Sequence, residues 1–198
     1  MKRIILIAAI FLGLCQTAQS QNLLDALKGV ATSAVEQIAG GKLTAVAMIG
    51  EWQYNKPGIK FSSNDTLSEL AASAATSSIQ TQLEIYYQKV GIKEGFCSFV
   101  FNQDGTFSST FGQKTASGHY TFDPESSALS LQYEKGTLKL GTIPAYAYLN
   151  GENLQIVFPV DKLVGLLVSL GSKSAKLAPI TSLLQKYDSI KIGFEFSK

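Results

Sequence analysis

From residue 96 onward the chain alternates apolar and polar residues with a period of two, and short turns separate the alternating runs. Successive side chains of a strand point to opposite faces, so such runs read as half-buried strands. "FCSFVF" and "TFSSTF" are joined by "NQDG", whose Asp104-Gly105 pair suits a tight hairpin because glycine takes positive φ at little cost. "SGHYTF" and "ALSLQY" flank "DPESS", and "TLKLGTIPAYAYL" and "LQIVFP" flank "NGEN". Connections this short make neighbouring strands antiparallel. The pattern predicts strands at 51–60, 96–102, 106–111, 116–123, 128–134, 137–149 and 153–159. An eighth, "IKIGFEF", carries Ile190, Ile192, Phe194 and Phe196 on one face. Curling such a meander shut removes both unpaired edges, and about eight strands enclose room for side chains or one small ligand. The expected fold is therefore mainly β, an eight-stranded up-and-down antiparallel barrel.

Two helical insertions interrupt the meander. Thr66 and Glu69 have capping-box spacing and open a helix predicted over 66–89, with Leu67, Leu70, Ala74, Leu83, Tyr86 and Val90 on one side. It lies between strands 1 and 2. Between strands 7 and 8, residues 161–171 are apolar almost all round, which predicts a helix buried on most sides. Pro179 starts a second piece that runs to Tyr187, giving a helical hairpin over one mouth of the barrel.

The N-terminus reads differently. Lys2 and Arg3, the apolar run Ile4–Leu14 and the small residues Ala18 and Ser20 form the pattern of a secretory signal peptide over 1–20. The apolar run is too short for a bilayer span, which takes about 20 residues. The protein is thus expected to be exported, periplasmic or secreted. Cys15 raises a lipoprotein alternative, but Leu14 stands where a lipobox has a small residue. Residues 21–47 are expected to hold an amphipathic helix, with Leu23, Leu27, Val30, Ala34 and Ile38 on its stripe, and then a linker with no firm structure signal. The barrel domain is placed at 48–198.

The chain carries 17 basic and 15 acidic residues, and the balance becomes zero once Lys2 and Arg3 are removed. Every remaining basic residue is then a lysine. Without arginine's planar fork, nucleic acid and polyanions are poor partner candidates. Most predicted strands are shorter than the roughly 9–11 residues that a membrane barrel uses, so a membrane-spanning barrel is not expected either.

Gly50-Glu51-Trp52 resembles the Gly-x-Trp of the first strand of the lipocalin-like superfamily. The "G-x-W-x-Y" start (Gly50 to Tyr54), "KVGIK" (Lys89 to Lys93), the "FxFN-x-DGTF" hairpin (Phe99 to Phe107) and "YD-x-IK-x-GF" (Tyr187 to Phe194) are similar to a lipocalin-like family of unknown function from Gram-negative gut anaerobes. The resemblance covers most of the chain after the signal and implies a lipocalin-like barrel. In true lipocalins an arginine covers the tryptophan. Here the resemblance leaves Lys191 as the substitute.

The candidate site is the inner face. Trp52 is expected to seal the barrel base. Tyr54, Phe99, Phe101, Phe107, Phe111, Tyr120, Phe122, Tyr133, Phe158 and Phe194 have the alternation of an inner wall, either filling the barrel or walling an apolar cavity. Tyr120, Tyr133, Tyr146 and Tyr148 are candidates to orient a ligand through their hydroxyls. The expected function is binding of a lipid or other small apolar ligand in the barrel. The alternative is a side-chain-filled structural or interaction module of the cell envelope, with a protein partner the sequence does not name. No catalytic residue, metal site or cofactor is expected. His119, the single histidine, faces away from Tyr120, and Cys97 reads as a small buried hydrophobe. The triplets at 65–67 and 188–190 match a bacterial O-glycosylation pattern, although capping explains the first equally well.

Overall fold

The computed structural model describes residues 41–61, 66–138, 140–171 and 190–198, with the backbone alone for 66–75. The signal segment with Cys15, the helix expected near 23–38, the helix expected at 179–187 and, of the glycosylation triplets, Asp65, Asp188 and Ser189 lie outside the described residues. So do the side chains of the Thr66–Glu69 capping box.

Eight antiparallel strands form one closed ring in chain order: β1 Gly50–Phe61, β2 Cys97–Phe101, β3 Thr106–Phe111, β4 Lys114–Asp123, β5 Ala128–Gly136, β6 Thr142–Asn150, β7 Asn153–Phe158 and β8 Ile190–Ser197. The first and last strands close the ring from Gln53↔Ser197 to Phe61↔Ile190, with a bulge between Tyr54 and Lys56. The expected barrel is therefore present. Several strands run longer than the sequence pattern suggested or start elsewhere. β1 has 12 residues and β4 has 10. β6 begins at Thr142 rather than at 137, because Gly136 (φ 111°) and Gly141 (φ 62°) take the chain through a loop that an extended strand does not follow.

The β2–β3 turn forms as its residues dictate. Asp104 Oδ1 accepts hydrogen bonds from the Thr106 amide (2.9 Å) and hydroxyl (2.6 Å), while Gly105 sits at φ 80°.

Among the described residues three helices accompany the barrel: α1 Lys42–Ala47, α2 Thr66–Lys89 and α3 Val160–Ser169. The stretch expected to be a linker is thus a helical turn, with Leu43, Thr44 and Ala47 buried against the barrel and β6 nearby. Gly41 starts it with its Cα so close to the β4–β5 turn that an added Cβ would meet the Pro124 carbonyl. α2 packs on β1, and its buried row is Ile79, Leu83 and Tyr87, in steps of four. Tyr86 and Val90, expected on that face, are half-buried at its flank. Tyr87 turns inward because its hydroxyl donates to the Gly193 carbonyl at 3.0 Å, and Tyr86 lies under Lys89 instead.

α3 also departs from expectation. Leu163, Leu166 and Leu167 are buried against β7 and β8, but Gly165 and Val168 are exposed, so the helix buries one face only. Among the described residues no helix is long and apolar enough to cross a membrane.

Candidate functional site

Inward residues from all eight strands meet in one apolar cluster. Trp52 is fully buried and donates its indole N–H to the Met48 carbonyl at 2.8 Å, which satisfies its one polar atom. Tyr54, Phe99, Phe101, Phe107, Phe111, Tyr133, Phe158 and Phe194 are buried with it, as the alternation predicted. Tyr120 and Phe122 are only half-buried, near the end of β4. The Tyr120 ring stands edge-on to Phe101 at 5.0 Å, and its hydroxyl donates outward to the Asn102 carbonyl at 2.8 Å.

The rings contact one another rather than enclosing a gap. Phe99 stacks on Phe101 at 5.6 Å and meets Phe111 at 5.8 Å and Phe196 at 5.4 Å. Phe194 is the hub, 5.9 Å from both Phe111 and Phe158 and 6.1 Å from Tyr54. Tyr87 of α2 adds its ring at 5.2 Å from Phe194. Such ring pairs contribute about 0.5–1.5 kcal/mol each beyond their burial. Phe196 and Tyr87 complete this group, although neither was among the candidates. Phe196 shared the alternation of its strand, whereas Tyr87 gave no local signal.

The other side of the lumen is different. β4, β5 and β6 present Ala116, Leu129, Leu131, Ile143, Ala145 and Ala147, all buried, with Tyr133 as their buried aromatic. Gly118 contributes no side chain there, and an added Cβ would strike the Gln132 carbonyl at the bulge after Ser117. An open depression of about 280 Å³ lies on the same strands, between outward residues such as Thr121, Ser130, Pro144 and Tyr146.

Where the two sides meet stands Ser109, 2% exposed and paired with Phe99 on one side and Ala116 on the other. Its hydroxyl stands beside the Tyr133 phenol. Burial pushes the Tyr133 phenol well above its usual range, and the adjacent Ser109 hydroxyl offsets part of that push.

Tyr54 is placed by a polar contact. It donates to Glu84 Oε2 of α2 at 2.8 Å, which ties the helix to β1. Burial first, then the Glu84 contact, raises the Tyr54 phenol far beyond its ordinary value. Tyr146 and Tyr148 do not enter the lumen. They lie on the outer face, under Lys191 (4.1 Å) and Lys60 (5.0 Å), so neither orients a ligand inside. His119 is exposed, with Nδ1 3.1 Å from Glu134 Oε2, on the face opposite Tyr120. Cys97 is a buried free thiol, and burial pushes its pKa up.

The model of the lipocalin-like domain family DUF4923 matches residues 23–198. The chain belongs to this family. Among solved structures, a DUF4847 family protein from Bacteroides vulgatus is similar at 12% identity, covering 78% of this chain and 96% of its own, with a TM-score of 0.36. At that score it carries no argument. A comparison with curated proteins finds no match.

In this lipocalin-like barrel the cation over the tryptophan is not Lys191. Lys198 takes the place, with Nζ 4.8 Å from the Trp52 ring centre and 3.3 Å from the Ile49 carbonyl to which it donates. Tyr54 pairs with Phe196, so the end of β8 lies beside the start of β1 and Lys191 sits farther along the strand. A second polar group missed by sequence reasoning is Glu195, buried on the outer side of β8. It accepts from Asn150 (2.9 Å), Asn153 (2.9 Å) and Gln155 (2.8 Å), with Lys56 Nζ at 3.3 Å.

Proposed function

We propose that this lipocalin-like protein is an exported, non-catalytic module that holds a small apolar ligand inside its barrel. The ligand lies against the wall formed by β4, β5 and β6. The observation that carries the reading is the uneven lining. Rings from β1, β2, β3, β8 and α2 fill one side, whereas alanine, leucine and isoleucine face them from the other. Apolar walls with few polar groups are the usual make-up of small-molecule sites. Export is supported by the signal-like residues 1–20, and a non-catalytic role by a histidine on the outer face and a thiol whose burial disfavours the reactive thiolate. Exposed polar residues on the outer face, among them Gln132 and Glu134, favour water over lipid around the barrel.

The second reading is an interaction module with a filled barrel. It is favoured by the ring contacts around Phe194 and by Tyr87, which occupies space that a ligand would otherwise use. Organic extraction of the protein isolated from its own cells, followed by mass spectrometry, separates the two. The ligand reading expects one small apolar compound in near-equal molar amount. Empty extracts, with no saturable uptake of a neutral fluorescent lipid analogue, would transfer the conclusion to the filled barrel.

A further inference from the structure

The two ends of the barrel differ in charge and in what they leave exposed. Because the meander reverses at every strand, one end gathers the end of β1, the start of β2, the β3–β4 turn, the β5–β6 loop and α3. Phe96 and Val168 are exposed there, and Phe96 is the most exposed large apolar side chain among the described residues. Contacts join the two into one face. Lys93 Nζ lies 4.1 Å from the Phe96 ring centre, and the Phe96 carbonyl accepts from the Gly112 amide at 2.7 Å. Beyond that turn, Lys114 donates to the Ser169 carbonyl at 3.1 Å, next to Val168. Lys60, Lys89 and Lys135 are exposed at the same end. The acids nearby are Glu94, Glu84 tied to Tyr54, Glu134 facing His119 and Asp161 facing Lys162. The opposite end carries Glu51, Asp104, Asp123, Glu125 and Glu152 against Lys42 and Lys198.

We infer that the lysine-bearing end is a membrane-docking face, which rests the barrel end-on against an anionic lipid surface. Apolar side chains exposed singly are ordinary on a protein surface. An aromatic ring beneath an ammonium group, with a second apolar residue on the same face, matches the boundary between acyl chains and charged headgroups. Lysine serves this partner without arginine's fork, because a lipid surface offers a spread negative field rather than one phosphate to be gripped. A second copy stacked head to tail would also bring opposite charges together. The acids of the far end, however, sit on separate hairpin turns, and Asp104 and Asp123 are already engaged with Thr106 and Ser126. The docking face does not depend on a ligand being held in the barrel.

The test is flotation of the protein, purified from its own cells, with vesicles of phosphatidylcholine alone or mixed with phosphatidylglycerol. Every variant carries the wild-type N-terminus, so differences among them report on this face. The wild type is expected to float with the mixed vesicles, to be released by salt, and to stay behind when phosphatidylcholine is alone. Lys93→Ala and Lys114→Ala should each weaken binding about fivefold, the scale of one lysine near an anionic surface. Phe96→Ser should weaken it about tenfold through lost apolar burial. Lys42→Ala removes the same charge from the far end and should leave binding unchanged. An unchanged urea midpoint checks that each variant is folded. The face is overturned if mixed vesicles do not carry the protein, if both kinds carry it equally, or if Lys42→Ala acts as strongly as Lys93→Ala. It is also overturned if Phe96→Ser floats as the wild type does. Salt-sensitive assembly without vesicles, seen by light scattering and abolished by Lys93→Ala, would give the face to a second copy and overturn the lipid reading. Extraction of the barrel's ligand is a separate measurement, so either reading can fail alone.

Discussion

The two sides of this barrel are built from the same alternation but by different chemistry. On β1, β2, β3 and β8 the inward positions are mostly aromatic, and the rings touch across the lumen. On β4 to β6 they are mostly alanine, leucine and isoleucine. Large planar side chains supply much buried area and fixed geometry, so the first side behaves as the core of the domain. Small aliphatic residues on the second side supply less buried area per position, so more of the core's stability rests on the rings.

Four measurements break or sharpen that contrast. The largest effect is expected at the hub of the ring side. Phe194→Ala should cost about 3–5 kcal/mol in urea unfolding, since five rings lose a neighbour and the cavity cannot close around it. A cost under ~1.5 kcal/mol would mean that the ring side is not the stabilising core. On the opposite wall, Ala147→Leu should cost less than about 1 kcal/mol if that wall borders adjustable space, whereas overpacking a tight core costs about 1–3 kcal/mol. The same variant should reduce ligand uptake. Lys198→Ala removes the cation over Trp52 and should cost about 0.5–1 kcal/mol, with a shift in tryptophan emission as the direct readout.

The smallest effect belongs to the turns rather than to either wall. Asp104 is held below the usual aspartate value of 3.8 mainly by its hydrogen bonds with Thr106, and Asp123 mainly by its hydrogen bond with Ser126. A carboxyl whose folded pKa is depressed adds stability above its unfolded pKa and loses it as pH falls toward the folded one. The urea midpoint should therefore drop slightly as pH is lowered through 3.8, and the drop should be smaller in Asp104→Asn. An unchanged pH dependence would show that these turns do not contribute.

The local parts of this architecture were the legible ones. Strand periodicity, the Asp104-Gly105 turn and the inward placement of Trp52 and Phe99 depend on neighbours a few residues away. The register of the ring depends on distant ones, and errors collect there. A cation on the last strand, Lys191, is not enough by itself to cover Trp52. The ring's register pairs Lys191 with Lys60, about eight residues along β1 from Trp52, at roughly 3.3 Å each. The helix phase of α2 departs from the local pattern for a similar reason, since a carbonyl on β8 decides that Tyr87 rather than Tyr86 turns inward. Ser109 is the opposite case. In "TFSSTF" its position between Phe107 and Phe111 already puts it on the inner face, but the Tyr133 hydroxyl beside it comes from a distant strand and is a property of the assembled barrel alone.

The seam between β1 and β8 has a consequence for how the protein comes into being. Gln53 must find Ser197, and Phe61 must find Ile190, before the circle is complete. Contacts so remote along the chain form late and slowly. While the closing segment is still being synthesised, hairpins in the middle can flicker into existence but the circumference stays open. The last strand to emerge is also the latch of the ring.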